Sequence, residues 1–317
     1  MTRATTMERG AMRGVRGRLA RGLRLSLMLA MAMTVAVGRV GPSMADDRPS
    51  ALQKIAATKR ITIGYRTGYP PYSDMLDGKP AGYVIDLCRH VVDNLRQTLG
   101  VDRLDIDFVP IPMAARFVMM REGRMDMECA ATTITAERQR QVGFSRPIFF
   151  TATRFVALRR NGYRTFADLA GRTVASLAGT SETGELNAAN RQRKLNIAIL
   201  LCREDVEAFA AVKTERAAAY VMDDVLLAGV MANWGKSDEL VMSDDTLRAA
   251  EAYGIMLPLG DEAFARDVNA ALEATAANGR WRAIYNAWFL SPNPFTGWNL
   301  NLPLSPELEA SLARLGG

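Results

Sequence analysis

The chain has 317 residues, 49% of them apolar and 23% charged. That balance excludes disordered and collagen-like classes and leaves room for one large or two modest domains. The formal charge of +6 points to nucleic acid until it is located: residues 1–45 hold eight arginines and one acid, and the rest holds 32 basic and 33 acidic residues. Counterion-release binding to phosphates has no support outside that leader.

In chain order, the leader comes first. An Arg-rich stretch runs to Arg24, an apolar run follows from Leu25 to Val37, and Ser43-Met44-Ala45 places small residues at −3 and −1. This is the pattern of a secretory signal peptide, with cleavage expected after Ala45. The apolar run is shorter than the roughly 20 residues that span a bilayer. With no Cys beside the cleavage site, a lipid anchor is not expected. Export into a periplasm is.

Ser50 to Gln53 form a capping box for a short helix. Ile61 to Tyr65 alternate as a strand, and Arg66 to Pro80 read as a Gly- and Pro-rich loop. Tyr83 to Leu99 form one amphipathic helix with Val84, Leu87, Cys88, Val91, Val92 and Leu95 on its apolar stripe. The only histidine, His90, falls off that stripe and is expected to face solvent. Asp105–Val109 is a strand, Met113–Arg121 a helix, and Met125–Cys129 a third strand. The pattern restarts with a helix at Phe166–Ala170 and a strand at Thr173–Leu177. Another strand, Ile197–Leu201, precedes a helix at Val206–Val212. Ala217–Met222 and Tyr253–Leu257 are the last strands predicted. Trp281, Ile284, Tyr285, Trp288 and Phe289 share a helical face that reads as core. The alternation predicts two α/β lobes, each a mainly parallel sheet flanked by helices, with a ligand in the cleft between them. The boundaries are placed at 46–151 for the first part of lobe 1, 152–252 for lobe 2, and 253–317 for the return to lobe 1.

Three cysteines, Cys88, Cys129 and Cys202, allow at most one internal disulfide. The sequence leaves the pairing open. If one forms, Cys88 with Cys129 is expected, since both fall in the first lobe. No CxxC or Cys/His cluster exists, so neither a metal nor another cofactor is expected.

Ligands in open α/β sheets sit beyond the carboxyl ends of strands. After Cys129 come Ala131, Thr132, Thr133, Thr135 and Arg138, hydroxyls and a guanidinium suited to an anion. After Leu177 comes Gly179-Thr180-Ser181-Glu182, a second turn into a helix. After Met222 comes Asp223, which could meet an ammonium group. Together these fit the head group of an α-amino acid. Each alone also fits a helix cap, a Thr-Thr turn and an Asp-Asp pair included.

Several stretches resemble solute-binding protein family 3, the periplasmic solute-binding proteins of polar amino-acid ABC importers, and most of all its glutamate/aspartate branch. They are Gly82–Leu87, Glu128–Thr133, Glu137–Gln141 with Phe144-Ser145, Met222–Gly229 and Glu251–Gly254, within a resemblance covering residues 52–305. The resemblance implies a hinged, type II periplasmic-binding-protein fold. It implies that Thr133, Arg138, Ser181 and the backbone at Thr180 hold the ligand carboxylate and that Asp223 holds the ammonium. The branch often has Ser at Ala131, where a backbone carbonyl can still accept. Arg66 and Arg116 match positions that reach a distal carboxylate, although spacing alone would make them a surface or interlobe salt bridge. Met113 and Asp205 replace a Ser and a His of the branch, and Tyr69 is placed to wall the pocket. If Asp205 lines the pocket, it should hold one of the guanidiniums.

The expected function is therefore a periplasmic, monomeric binding protein that delivers a polar amino acid to an inner-membrane ABC permease, with no role for nucleic acid; the ligand is expected to be acidic, glutamate- or aspartate-like, with neutral polar amino acids and other small carboxylates as the alternatives. The alternative is an exported enzyme on the same fold, such as a cyclohexadienyl-type dehydratase, which would need an acid or base in the cleft. A sensor input domain would need a further module that the sequence does not supply.

Overall fold

The first sheet runs in the order Asp105–Pro110, Arg60–Tyr65, Met127–Cys129, Met256–Leu257, Gly143–Phe144. Its first three strands are parallel, and the last two join antiparallel. The second sheet runs Ala198–Cys202, Thr173–Leu177, Ala219–Asp223, Thr153–Leu158, Leu240–Met242. Again three strands are parallel, and the fourth pairs antiparallel with its neighbours on both sides. This computed structural model describes residues 50–233 and 237–315. The leader over 1–45 and its cleavage after Ala45 lie outside the described residues.

The chain leaves the first sheet through Phe149–Thr151 and returns through Glu251–Tyr253, and these two strands pair antiparallel. A buried aromatic cluster backs this ribbon: Tyr72, Tyr83, Phe149, Tyr253, Tyr285 and Phe289. The Tyr83 hydroxyl donates to the Ile148 carbonyl at 2.7 Å and accepts from Trp281 Nε1 at 2.7 Å. Every polar edge of this buried pair is thus satisfied. The stripe on the helix Arg280–Phe289 is core, as its spacing predicts.

Two local expectations are corrected. Tyr253–Leu257 is not one strand but two, Glu251–Tyr253 and Met256–Leu257, on different sheets. The break falls at Gly254, where an added Cβ would lie 2.9 Å from Ile134. Hydrophobic alternation continues across the break, so periodicity cannot detect the change of sheet. The segment Arg66–Pro80 contains a hairpin, Asp74–Leu76 with Lys79–Ala81, turning on Asp77 and Gly78 with φ of 50° and 74°. An Asp-Gly pair with positive φ at both positions is the turn that matches strand twist.

The helix Tyr83–Thr98 buries its predicted stripe, and His90 is half-buried off it. Cys88 on this helix is bonded to Cys129 at the end of the central strand, across 41 residues, and Cys202 is a buried thiol. The disulfide fixes the strand end from which the Ala131–Thr133 loop departs. Converting Cys88 and Cys129 to alanine should cost about 3–4 kcal/mol, the loop-closure entropy of a ring of this size. Denaturant unfolding checks this, and a Cys202 variant run alongside should keep the same redox dependence as wild type, since it retains the Cys88–Cys129 bond.

Candidate functional site

The two Thr-Thr and Asp-Asp pairs each divide their labour. Thr132 donates its hydroxyl to Glu128 Oε2 at 2.7 Å. Thr135, not Thr133, caps the short helix Ala136–Gln139 by accepting from the Arg138 N–H. Thr133 is thereby left for the cleft. Likewise Asp224 takes the Val225 N–H and the Thr151 hydroxyl, both at 2.7 Å, at the start of its helix. Asp223, the last residue of the central strand of the second sheet, is free of capping duty.

Thr180 does cap its helix: its hydroxyl accepts from the Thr183 N–H and donates to the Leu177 carbonyl at 3.0 Å. Ser181, one residue on, points across the cleft. Its Oγ lies 3.3 Å from Thr133 Oγ1 and 3.1 Å from Glu182 Oε1. Thr133 belongs to the first sheet's loops and Ser181 to the second's, so this contact joins the lobes. A second junction pairs Arg66 with Glu204 at 3.9 Å. Gly229 makes a third. A Cβ there would stand 1.8 Å from the Pro70 carbonyl oxygen. Gly229→Ala should therefore force the lobes apart at about 1–3 kcal/mol, the usual range for overpacking. Small-angle scattering should then show a larger radius of gyration than wild type under saturating ligand.

Three buried guanidiniums gather on the first lobe. Arg138 donates to the Thr133 carbonyl at 2.9 Å and lies over the Phe117 ring. Arg116 donates to the carbonyl and sulfur of Met113 and lies over the same ring, 4.5 Å from its centroid. Arg66 stacks on Tyr69 at 4.7 Å. Burial lowers Arg116 to about 10, with Arg138 and Arg66 pushing the same way and Glu128 opposing. It therefore stays charged near neutral pH. Glu128 is fully buried beneath this group; burial raises its carboxyl above the ordinary range, and Arg116 pulls it down.

At the other end Asp223 is 3% exposed. Its Oδ2 accepts from the Tyr253 hydroxyl. Burial, and then Glu182, push its carboxyl well above the usual range. Asp205 accepts from the Tyr220 hydroxyl at 2.6 Å and faces the buried Tyr69, whose hydroxyl is raised by burial first and then by Asp205. The acid that meets Arg66 is thus Glu204, not Asp205. The two are adjacent at a helix start, and the sequence does not say which one turns toward the first lobe. Ala131 is half-buried at the margin of the core.

Several buried polar atoms of this region find no hydrogen-bond partner in the protein: Arg66 Nε and Nη1, Arg116 Nε, Tyr69 Oη, Tyr72 Oη, Glu128 Oε1 and Asp223 Oδ1. Buried polar groups are seldom left so. The guanidinium donors lie at one end, with Glu128 Oε1 beneath them, and the Asp223 acceptor lies at the other. Sequence reasoning missed Glu128, Glu182, Glu204 and Tyr72. Only Glu182 lay in a segment singled out by its turn chemistry. Among the described residues, no group of His, Cys, Asp and Glu is placed to hold a metal.

The family model for bacterial extracellular solute-binding proteins, family 3, matches residues 61–291. An L-glutamate/L-aspartate-binding protein of Pseudomonas aeruginosa is 36% identical over 92% of this chain and 97% of its own length. A glutamate/aspartate import solute-binding protein of Escherichia coli K12 is 31% identical over 89% of this chain and 93% of its own. Among solved structures, an ancestral amino acid-binding protein, a precursor of cyclohexadienyl dehydratase, superposes with a TM-score of 0.64 at 24% identity. It covers 76% of this chain and 98% of its own, a likeness of fold.

Proposed function

From the premise that the chain belongs to the bacterial extracellular solute-binding proteins of family 3, we propose that it binds an acidic amino acid between its lobes and hands it to an inner-membrane ABC permease. The observation that carries this reading is the set of unpartnered buried atoms. Guanidinium N–H groups of Arg66 and Arg116 lie at one end and the free oxygen of Asp223 at the other. A zwitterion with an anionic side chain satisfies both ends. Arg138, Thr133, Ser181 and the backbone N–H near Thr180 receive the α-carboxylate, and Asp223 and the Ala131 carbonyl receive the α-ammonium. Arg66 and Arg116 receive the distal carboxylate, and Tyr69 walls it. Met113 anchors Arg116, while Asp205 holds Tyr220 beside Tyr69.

Closure is the signal. Thr133–Ser181 and Arg66–Glu204 join the lobes, and the ribbon of Phe149–Thr151 and Glu251–Tyr253 serves as hinge. The protein acts in the periplasm as a monomer, after removal of residues 1–45, and uses no cofactor. Among the described residues no helix is long and apolar enough to cross a membrane. It performs no chemistry on its ligand: the exported dehydratase reading predicts product from prephenate or arogenate, and the binding reading predicts none.

A thermal-shift screen across amino acids and small carboxylates tests the assignment. A ligand at a hundred times its Kd stabilises by about 2.7 kcal/mol. L-Glutamate or L-aspartate should give the largest shift. A screen in which neutral or cationic amino acids lead would overturn the acidic assignment. Arg66→Asp should exchange the preference, weakening acidic ligands.

A further inference from the structure

We infer that Glu204 is a specificity-determining residue: it reaches from the second lobe to one nitrogen of the Arg66 guanidinium and so limits how strongly the cleft prefers an anionic side chain over its amide. The inference rests on the reading of Arg66 as a receiver of the distal carboxylate. It goes beyond that reading, which treats the Arg66–Glu204 contact as a junction between lobes only.

Arg66 is held in place by the first lobe. It follows the strand Arg60–Tyr65, its carbonyl accepts from the Ser73 hydroxyl at 2.6 Å, and its guanidinium lies 4.7 Å from the centroid of the Tyr69 ring. The residue is 4% exposed. Its three nitrogens divide their partners: Nη2 lies 3.9 Å from Glu204 Oε2, while Nε and Nη1 are buried without one. Two nitrogens are therefore open to a ligand, and the third faces an acid of the protein itself.

Glu204, Asp205 and Glu207 crowd the start of the helix Asp205–Lys213, and of the three Glu204 is the one paired with a cation of the first lobe. Asp205 accepts from the Tyr220 hydroxyl at 2.6 Å and Glu207 from the Arg203 N–H at 2.9 Å, both within the second lobe. Glu204 occupies the N-cap position, yet its carboxylate makes no capping hydrogen bond there. Its side chain is 63% exposed, so it acts from the rim of the cleft. A ligand carboxylate at Nε and Nη1 shares one guanidinium with Glu204, and the two anions repel. The amide of glutamine meets no such repulsion. It gains from Glu204 a counter-ion for Arg66 that it does not itself bring. The buried Glu128 adds a negative charge on the first-lobe side, felt most by Arg116.

Calorimetric titration of wild type and Glu204→Gln with L-glutamate and with L-glutamine near neutral pH tests this. The substitution keeps the size of the side chain and removes its charge. Glutamine should bind the variant more weakly and glutamate should not, so the glutamate-to-glutamine affinity ratio should rise about three- to tenfold, the reach of an exposed charge acting on a buried one. Glu204→Ala should repeat the rise. Because Glu204 is exposed, the difference from wild type should shrink from about 0.05 to about 0.5 M salt. Glu207→Gln removes a like charge from the same helix start and should leave the ratio unchanged. An equal rise in Glu207→Gln would assign the effect to the general field of that helix end and overturn the role of Glu204. Affinities for both ligands that move alike in Glu204→Gln, or not at all, would make the contact a latch and overturn the inference, with the acidic reading intact. A wild type that favours glutamine overturns the acidic reading, while the shift between wild type and variant still decides the role of Glu204. If wild type binds neither ligand, the reading of the cleft falls and this inference with it.

Discussion

Arg138→Ala should abolish binding of every amino-acid ligand, whatever its side chain. Its guanidinium is buried, held by the Thr133 carbonyl and packed over Phe117, so it is presented rather than recruited. A ligand carboxylate entering the cleft is stripped of water and depends on that fork. Removing one partner of a buried ion pair costs about 3–5 kcal/mol, because the other is left charged and desolvated. That corresponds to a loss of roughly 10²- to 10³-fold or more in affinity. Asp223→Ala should behave alike through the ammonium. Calorimetry on both variants checks this, with their unliganded melting points as controls for folding. A variant within threefold of wild type would remove that residue from the head-group site. The loss should be shared by glutamate, aspartate and glutamine, since the head group is common to all three. A loss confined to acidic ligands would instead place Arg138 at the side-chain end.

Much of the head-group end proposed above is legible in the sequence, because it is built from local chemistry. Hydroxyls before a helix, an arginine three residues beyond Thr135 and an acid at a strand end are all visible within a few positions. What local chemistry cannot do is choose between neighbours. Thr132 or Thr133, Asp223 or Asp224, Glu204 or Asp205 are equivalent on paper. The choice is made by residues distant in the chain, such as Glu128 taking the Thr132 hydroxyl and Thr151 taking Asp224. The same limit hides Glu128 and Glu182. A buried acid in sequence looks like an exposed one, and only the fold reveals that each faces other charges. At the level of elements, the helix Tyr83–Thr98 and the strand Thr173–Leu177 follow from strong periodicity. The ribbon joining the sheets does not, because Gly254 interrupts the pairing without interrupting the hydrophobic pattern.

Neutralising Glu128 should raise affinity for an acidic ligand without costing stability near neutral pH. Its carboxyl lies fully buried near Arg116, Arg66 and Arg138, with Thr132 as its one hydrogen-bond donor. Glu128→Gln preserves the shape and an oxygen for Thr132, so charge is the main thing lost. Without ligand, three guanidiniums then face one another with no counter-ion at that depth. Like charges about 6 Å apart repel by roughly 3 kcal/mol at an effective dielectric near 20. The raised folded-state carboxyl nevertheless means that burial of its charge outweighs the attraction of the arginines, so the neutral variant should be no less stable than wild type near neutral pH when unliganded. An acidic ligand supplies the missing negative charge, so glutamate should bind the variant more tightly, by about 1–2 kcal/mol. Glutamine, which brings no second carboxylate, should gain much less. pH sharpens the contrast. Glu128 is raised in the folded state, so between its ordinary range and its folded value the native protein holds a proton that the unfolded chain does not. Its contribution to stability is then present at low pH and is lost as pH rises through the folded value. The Gln variant should lack that part of the slope. Thermal melts with and without glutamate across the acidic range measure both effects. A variant that loses stability and glutamate affinity together would show that Glu128 orients the arginines rather than balancing their charge.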